Sequence, residues 1–357
     1  MSTIRKMVDL RSDFLSRATP RMLRLMARAN STSAGFGLRE DRWQVRLEAE
    51  AAELLGKEDA LLLSTCTMAN QVAIIVSTRP GDTVLSDSQA HFATSEAGAP
   101  AALAGVSTHG LSGSFGAPSF EDWKKASAAP LDAQRSAVSL FILENTHNRG
   151  CGNALPGEYV DAVAAIAGAA GAHLHIDGSR LFNAAIALGL TPARLAESAR
   201  SVSVSLNKGL GAPWGAILAG PQHLIADALR VRQMLGGGVR PASMIAAAGI
   251  VALRNWRCVE VDHHRAAQLR LGCAGMPLID PITPPNPTNI VILRLEASCG
   301  GAEAFCRRLA NEGVLALPFG HNLVRMVTYH DIDDAAVEFT LSALRTTTLD
   351  IERGCLK

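Results

Sequence analysis

The chain has 357 residues, 48% of them hydrophobic and only 19% charged, enough for one large core with a smaller one beside it. Lys and Arg number 34 against 33 for Asp and Glu, and a net charge of +1 gives neither nucleic acid nor an anionic membrane a surface to bind. No apolar run approaches the ~18 residues of a membrane span, and the opening MSTIRKMVDLRSDF lacks the apolar stretch of a secretory leader.

Short apolar runs alternate with longer Ala-rich stretches over roughly residues 55–250. Ala60–Leu63, Thr83–Leu85, Val138–Leu143, His173–Ile176, Ser201–Ser205 and Gly215–Ala219 read as strands. Met68–Ser77, Gly157–Ala170, Thr191–Ala199 and Pro221–Leu235 read as the helices between them. Such alternation implies an α/β fold, a mainly parallel sheet with helices on both faces and ligands at the carboxyl ends of its strands. A helix from Pro241 to Cys258 runs on into Asp262–Leu271, and the proline-rich Pro277–Pro287 marks a boundary. Beyond it, strands Asn289–Leu295 and Leu323–Thr328 flank a helix at Ala302–Asn311, a small α+β domain. The expected division is 1–250, including an N-terminal arm, and 251–357. Seven scattered cysteines (Cys66, Cys151, Cys258, Cys273, Cys299, Cys306 and Cys355) form no C-x-x-C pair, which points to free thiols in a cytoplasmic protein.

Two strings carry the chemistry. HIDGSR at His175–Arg180 and SLNKGLGAP at Ser205–Pro213 each end an apolar run in polar groups, and so place Asp177 and Lys208 at strand tips. A carboxylate and an amine so placed meet the two needs of pyridoxal phosphate, a partner for its ring nitrogen and a covalent anchor. Most lysines are solvated, but GLGAP sets Lys208 in a tight turn, and a buried Asp177 is costly without a cationic partner.

STCTMANQ, from Ser64 to Gln71, follows a strand and opens a helix. Cys66 and Thr67 therefore fall where free N–H groups favour a phosphate, a position that also suits an ordinary Thr cap. Arg240, after three glycines in LGGGVR, is a second phosphate donor or a solvated residue of a flexible turn. His91 in QAHFATSEAG and His147 in LENTHNRGCG both sit just past strands. Either can face the ring, and either can take a proton from a substrate hydroxyl. Arg180, three residues after Asp177, and Arg325 in LVRMVT offer the forked cation that suits a substrate carboxylate.

The blocks DLRSD (Asp9–Asp13), TMANQ (Thr67–Gln71), RPGD (Arg79–Asp82), AH (Ala90–His91) and EAG (Glu96–Gly98) recur in one order with four more. These are ENTHNR (Glu144–Arg149), DGSRLFNA (Asp177–Ala184), KGLGAP and LGGGVR. Together they resemble the threonine aldolase family, the β-eliminating lyase-like group of fold-type I pyridoxal-phosphate enzymes, from Asp9 to Arg325. The resemblance implies a mainly parallel seven-stranded sheet domain with a smaller C-terminal α+β domain. It implies Lys208 as covalent anchor, Asp177 as ring-nitrogen partner and His91 stacked on the ring. Thr67 and Arg240 then lie near the phosphate, and Ser12, Arg180 and Arg325 hold the substrate carboxylate. The implied reaction, without a metal, splits a β-hydroxy-α-amino acid such as threonine or allo-threonine into glycine and an aldehyde. The implied assembly is a homodimer or homotetramer with active sites built from two subunits. β-Elimination by the same residues, with Lys208 as the base at Cα, and a non-catalytic binding protein of this fold are the alternatives.

The chain departs from the family pattern at several places. Thr65-Cys66-Thr67 replaces Ser-Gly-Thr, and Leu38-Arg39-Glu40-Asp41-Arg42 replaces Tyr-Gly-Glu-Asp-Pro. Ser179 stands for Ala, Asn207 for Ser and Trp214 for a smaller residue, while Phe14-Leu15-Ser16 replaces Thr-Val-Thr. These positions surround the phosphate loop and the expected pocket mouth, which implies retained chemistry at Cα with a shifted side-chain preference.

Overall fold

The structure, a computed structural model, describes residues 7–30, 35–128 and 134–355. Its main sheet has seven strands in the order β2-β10-β9-β8-β7-β3-β4, and each apolar run read from the sequence is one of them. The strands are β2 (Asp59–Leu63), β3 (Thr83–Asp87), β4 (Ser107–Leu111), β7 (Val138–Glu144), β8 (His173–Gly178), β9 (Ser201–Ser205) and β10 (Ala216–Gly220). Only β10 runs against the rest, antiparallel to both β2 and β9. The strand β4 is new: four of its five residues in STHGL are exposed, so an edge strand of this kind shows no apolar run.

Burial alternates along the strands because side chains leave a sheet on opposite faces. Ala60, Leu62 and Ile217 join a core with the helices Arg42–Leu55 and Ser243–Arg254, whereas Leu61, Leu63 and Leu218 join one with Cys66–Ser77 and Gln222–Met234. Both faces are covered, which is why these runs read as continuously apolar. The helix expected at 191–199 is shorter, Pro192–Ala196, started by Thr191, whose hydroxyl accepts from Arg194 N–H at 3.1 Å.

A second core lies under a four-stranded antiparallel sheet, β11 (Ile279–Ile282), β12 (Ile290–Leu295), β15 (Leu323–Val327) and β14 (Leu317–Pro318). The proline-rich segment is thus itself an edge strand, with Pro281 opposite Leu293. A 22-residue helix, Asp334–Cys355, closes this unit. The N-terminal arm, grouped by sequence with the large domain, belongs here: β1 (Val8–Asp9) pairs parallel with β13 (Val314–Leu315), and Leu10 is fully buried in the second core. The remaining strands, β5 (Gly113–Ser114) and β6 (Ala117–Pro118), form a small hairpin.

The arm is tied back to the large sheet by one buried ion pair. Arg180 donates from Nε to Asp13 Oδ2 at 2.7 Å and from Nη2 to Asp13 Oδ1 at 2.8 Å. Their side chains are 6% and 0% exposed. Removing one charge of such a pair strands the other, a loss of about 3–5 kcal/mol, whereas an exposed pair contributes about 1 kcal/mol or less. In chemical unfolding, Asp13→Asn should therefore destabilise the chain severalfold more than Arg11→Ala, which breaks the exposed Arg11–Asp9 pair. Equal losses would show that the arm is held by its strand pairing alone.

Candidate active site

Five parallel strands bring their carboxyl ends to one edge of the large sheet. β8 delivers Asp177, β9 leads to Lys208, β2 leads into the helix Cys66–Ser77, β3 leads to His91, and β7 delivers Glu144 and, just beyond it, His147. Glu144 lies in register with Asp177, and Asp177 with Ser203 of β9.

Asp177 is 1% exposed. Its Oδ2 accepts from Asn70 Nδ2 at 2.8 Å and its Oδ1 from the Ser179 N–H at 3.1 Å, with Cys66 Sγ 3.9 Å away. Burial pushes this carboxyl up, but the Lys208 charge, then that of His91, and the donors outweigh it and hold it below its ordinary range. Burial and repulsion from Arg180 pull the Lys208 amine down. No hydrogen bond or ion pair holds its Nζ among the described residues.

His91 opens the short helix His91–Thr94, with Nδ1 3.0 Å from Glu96 Oε1 and its side chain 36% exposed. Glu96 thereby orients the ring and leaves Nε2 as the outward nitrogen. A ring nitrogen of His91 and one oxygen each of Glu96 and Asp177 lie within 4.8 Å of one another. The bond to Glu96 outweighs burial and raises the His91 imidazole above its ordinary range.

His147 is placed differently. Its Nδ1 accepts from the Gly150 N–H at 2.9 Å, and its Nε2 faces Asp87 Oδ1 at 3.2 Å and Glu144 Oε2 at 3.8 Å. It is 1% exposed, and a Cβ added at Gly116 would come within 2.2 Å of its ring. Nδ1 is bonded and Nε2 is enclosed beside two carboxylates without a hydrogen bond of its own, so the two histidines that the sequence left equivalent are separated.

The carboxylate candidates cluster on the arm side. Burial favours the neutral Asp13 carboxyl, yet Arg180, Lys208 and Arg325 hold it down to about 2. Arg325 donates from Nη1 to Asn148 Oδ1 at 2.7 Å and from Nη2 to the Arg11 carbonyl at 2.9 Å, and its carbon lies 5.1 Å from the Phe319 ring centroid. Its buried Nε has no partner. Burial and the nearby Arg180 charge lower it to about 10, a measure of how closely two cations are held here. Ser12 lies beside Asp13, Oγ to Oδ1 3.4 Å, and caps the turn Asp13–Leu15.

At the phosphate position the cap is Thr65, which accepts from Met68 N–H at 3.0 Å. Cys66 and Thr67 therefore lead the helix with N–H groups that no described residue accepts. Arg240 is not brought into this cluster. It is exposed, donates to the Phe36 carbonyl at 3.0 Å and sits 6.0 Å from the Phe36 ring centroid.

Residues that the sequence reading assigned no role complete the site: Asp13, Asn70, Glu96, Glu144, Asn148 and Ser203. Glu144 accepts from the N–H groups of His91 at 2.7 Å and Asn148 at 2.9 Å, and so fixes two neighbours at once. The available signal was polarity inside apolar runs, as with Asn70-Gln71 in an Ala/Val/Ile helix and Ser203 in SVSVS.

This donor set fits pyridoxal phosphate: an ionised buried carboxylate, an unbonded amine, an oriented imidazole and a helix start with free N–H groups. Comparison with known proteins agrees. The family model described as beta-eliminating lyase matches residues 9–298. The low-specificity L-threonine aldolase 1 of Arabidopsis thaliana is 35% identical over 357 residues, 98% of each chain. The low specificity L-threonine aldolase of Escherichia coli K12 is 33% identical over 331 residues, 91% of this chain and 95% of that one. In fold, a Leishmania major threonine aldolase superposes with a TM-score of 0.83 at 21% identity over 95% of this chain and 99% of that one. A Sphingomonas wittichii serine palmitoyltransferase superposes at 0.76 with 18% identity, over 97% and 88%. The architecture is that of the fold-type I pyridoxal-phosphate enzymes. The chain belongs to the beta-eliminating lyase family, and low-specificity threonine aldolases are its relatives over nearly their whole length.

Proposed function

We propose that this protein is a pyridoxal-phosphate-dependent carbon–carbon lyase that cleaves β-hydroxy-α-amino acids of the threonine and allo-threonine kind to glycine and an aldehyde. The observation that carries the reading is the buried Asp177 beside an unbonded Lys208 at the carboxyl edge of a parallel sheet. The full-length likeness to low-specificity threonine aldolases supports it.

Lys208 would anchor the cofactor covalently, Asp177 would hold its ring nitrogen, His91 would face the ring, and the N–H groups of Cys66 and Thr67 would hold the phosphate. When bound, the cofactor supplies the sink for the electron pair released at Cα. Asp13 neutralises Arg180, so the Arg180–Arg325 pair presents about one net positive charge to the substrate carboxylate, with Ser12 at its side. That grip would fix the orientation of the substrate at Cα. His91 Nε2 takes the β-hydroxyl proton, the Cα–Cβ bond breaks and the aldehyde leaves. Cα then receives a proton and glycine is released. His91 is preferred to His147 as base because its outward nitrogen is open.

A homo-oligomer is the reading that the exposed apolar groups favour: Phe36, beside Arg240, is 89% exposed and Met234 is 68% exposed. Across such an interface Arg240 can reach a neighbouring copy's phosphate. No helix among the described residues is long and apolar enough to cross a membrane. Cys66, Cys151, Cys258, Cys273, Cys299 and Cys306 are in no disulfide, which supports a cytoplasmic setting.

With threonine as substrate, purified protein given pyridoxal phosphate should release glycine and acetaldehyde; a keto acid and ammonia would instead assign β-elimination. Lys208→Ala should abolish both turnover and the visible absorbance of the bound cofactor. Asp177→Asn should keep the absorbance while kcat falls by about 10²–10³-fold, as for loss of a preorganised charge partner. A base must be neutral to act, so kcat/KM should fall as pH drops through the His91 value, which lies above the ordinary imidazole range. His91→Asn should remove that acid limb and leave any other limb in place.

A further inference from the structure

Asn70 performs none of the steps above, yet all four hydrogen-bonding positions of its amide are engaged. It is 1% exposed. Its nitrogen donates to Asp177 Oδ2 at 2.8 Å and to Glu96 Oε1 at 3.1 Å. Its carbonyl oxygen accepts from Ser203 Oγ at 2.7 Å and meets His175 Nε2 at 3.3 Å. The Ser203 hydroxyl points at that oxygen, and so does the His175 ring, whose Nδ1 bonds Ser201 Oγ at 2.8 Å. With the oxygen side fixed, the NH₂ group must face the two carboxylates.

Glu96 is the second of those carboxylates. It pairs with His91 Nδ1 and also accepts from Gln71 Nε2 at 2.7 Å. One uncharged amide therefore stands between the carboxylate assigned to the cofactor nitrogen and the carboxylate that orients the imidazole. An aspartate at 70 would repel both, and a leucine of similar shape would leave each short of one donor.

We propose that Asn70 is a positioning residue that binds Asp177 and the Glu96–His91 pair into one unit, so that a change of charge on one side of the cofactor site is felt on the other. The proposal rests on the reading of the site given above. The charged and titratable groups that face His91 are Glu96, Asp177 and Glu144; those that face Asp177 are Lys208, His91, Glu96, Arg180, His147, His175 and Cys66.

Loss of the Asn70 donor leaves Glu96 with more of its charge for His91, which then holds its proton to higher pH. Loss of the Glu96 charge does the opposite. The test is the pH dependence of His91 carbethoxylation by diethyl pyrocarbonate, followed by peptide mass mapping on the full chain. It is run alongside the acid limb of kcat/KM of the cofactor-loaded enzyme. Asn70→Ala should move the His91 midpoint up by about half a pH unit, a ~3-fold change in proton affinity, and Glu96→Gln should move it down by at least as much. Ser203→Ala, which frees the amide to turn, should move it up by less, and carries the test if Asn70→Ala does not fold. Reduced activity with unmoved midpoints in Asn70→Ala and Ser203→Ala would overturn the proposal and leave Asn70 a packing role. A wild-type chain that binds no pyridoxal phosphate overturns the functional reading instead, and the carbethoxylation arm still decides this one.

Discussion

Charge balance at the carboxyl edge of the large sheet is the constraint on which the rest of this structure depends. Asp177, Lys208, Asp13, Arg180 and Arg325 are gathered where water is largely excluded: the two carboxylates compensate two of the cations, and Arg325 is held by the neutral Asn148 amide and the Arg11 carbonyl. The compensation runs through three separate parts of the chain. The large sheet gives Asp177, Arg180 and Lys208, the arm gives Asp13, and the small sheet gives Arg325. An ion pair and a hydrogen bond thus tie the arm and the small sheet to the loops at the large sheet's edge. A parallel sheet suits this role because its strand ends all face one way, so residues distant in sequence converge without a long loop.

Much of this was legible in the chain. Runs such as Ala60–Leu63 and Gly215–Ala219 are apolar on both faces because helices cover both faces, and Asp177 and Lys208 stand out as charges just past runs of this kind. What the chain did not show is who meets whom. Asp13 looks like any acidic residue in DLRSD, and only the fold of the arm brings it to Arg180. His91 and His147 sit in equivalent positions after strands, and it takes Gly116, Gly150 and Asp87 to show that one is enclosed. The edge strand β4 and the proline-bearing β11 were hidden for a different reason: edges need neither an apolar face nor a full set of N–H donors.

The residues that set this chain apart from its family divide by location. Arg39 faces away from the chemistry, holding Glu48 at 2.8 Å and both oxygens of Asp59 at 2.8 and 2.9 Å. Cys66 sits at the chemistry, with Sγ 3.4 Å from Ser203 Oγ as well as near Asp177. Burial and the Asp177 charge push its thiol up to about 12, so it remains a neutral group. It adds bulk where a glycine would leave space, without adding charge to a cluster that is already balanced.

The pairing of β1 with β13 has a consequence for how the molecule comes into being. Val8 and Val314 are 306 positions apart, so this pairing closes a very long loop of the chain. The large sheet can close around its own apolar runs before the arm has its partner strand, so until then the Asp13–Arg180 pair lacks the β1–β13 pairing behind it. Contacts between such distant segments are among the slowest to form. The contacts that secure the Asp13–Arg180 pair are therefore among the late ones, and a chain cut before Val314 keeps Asp177 and Lys208 but has neither Arg325 nor a partner strand for the arm.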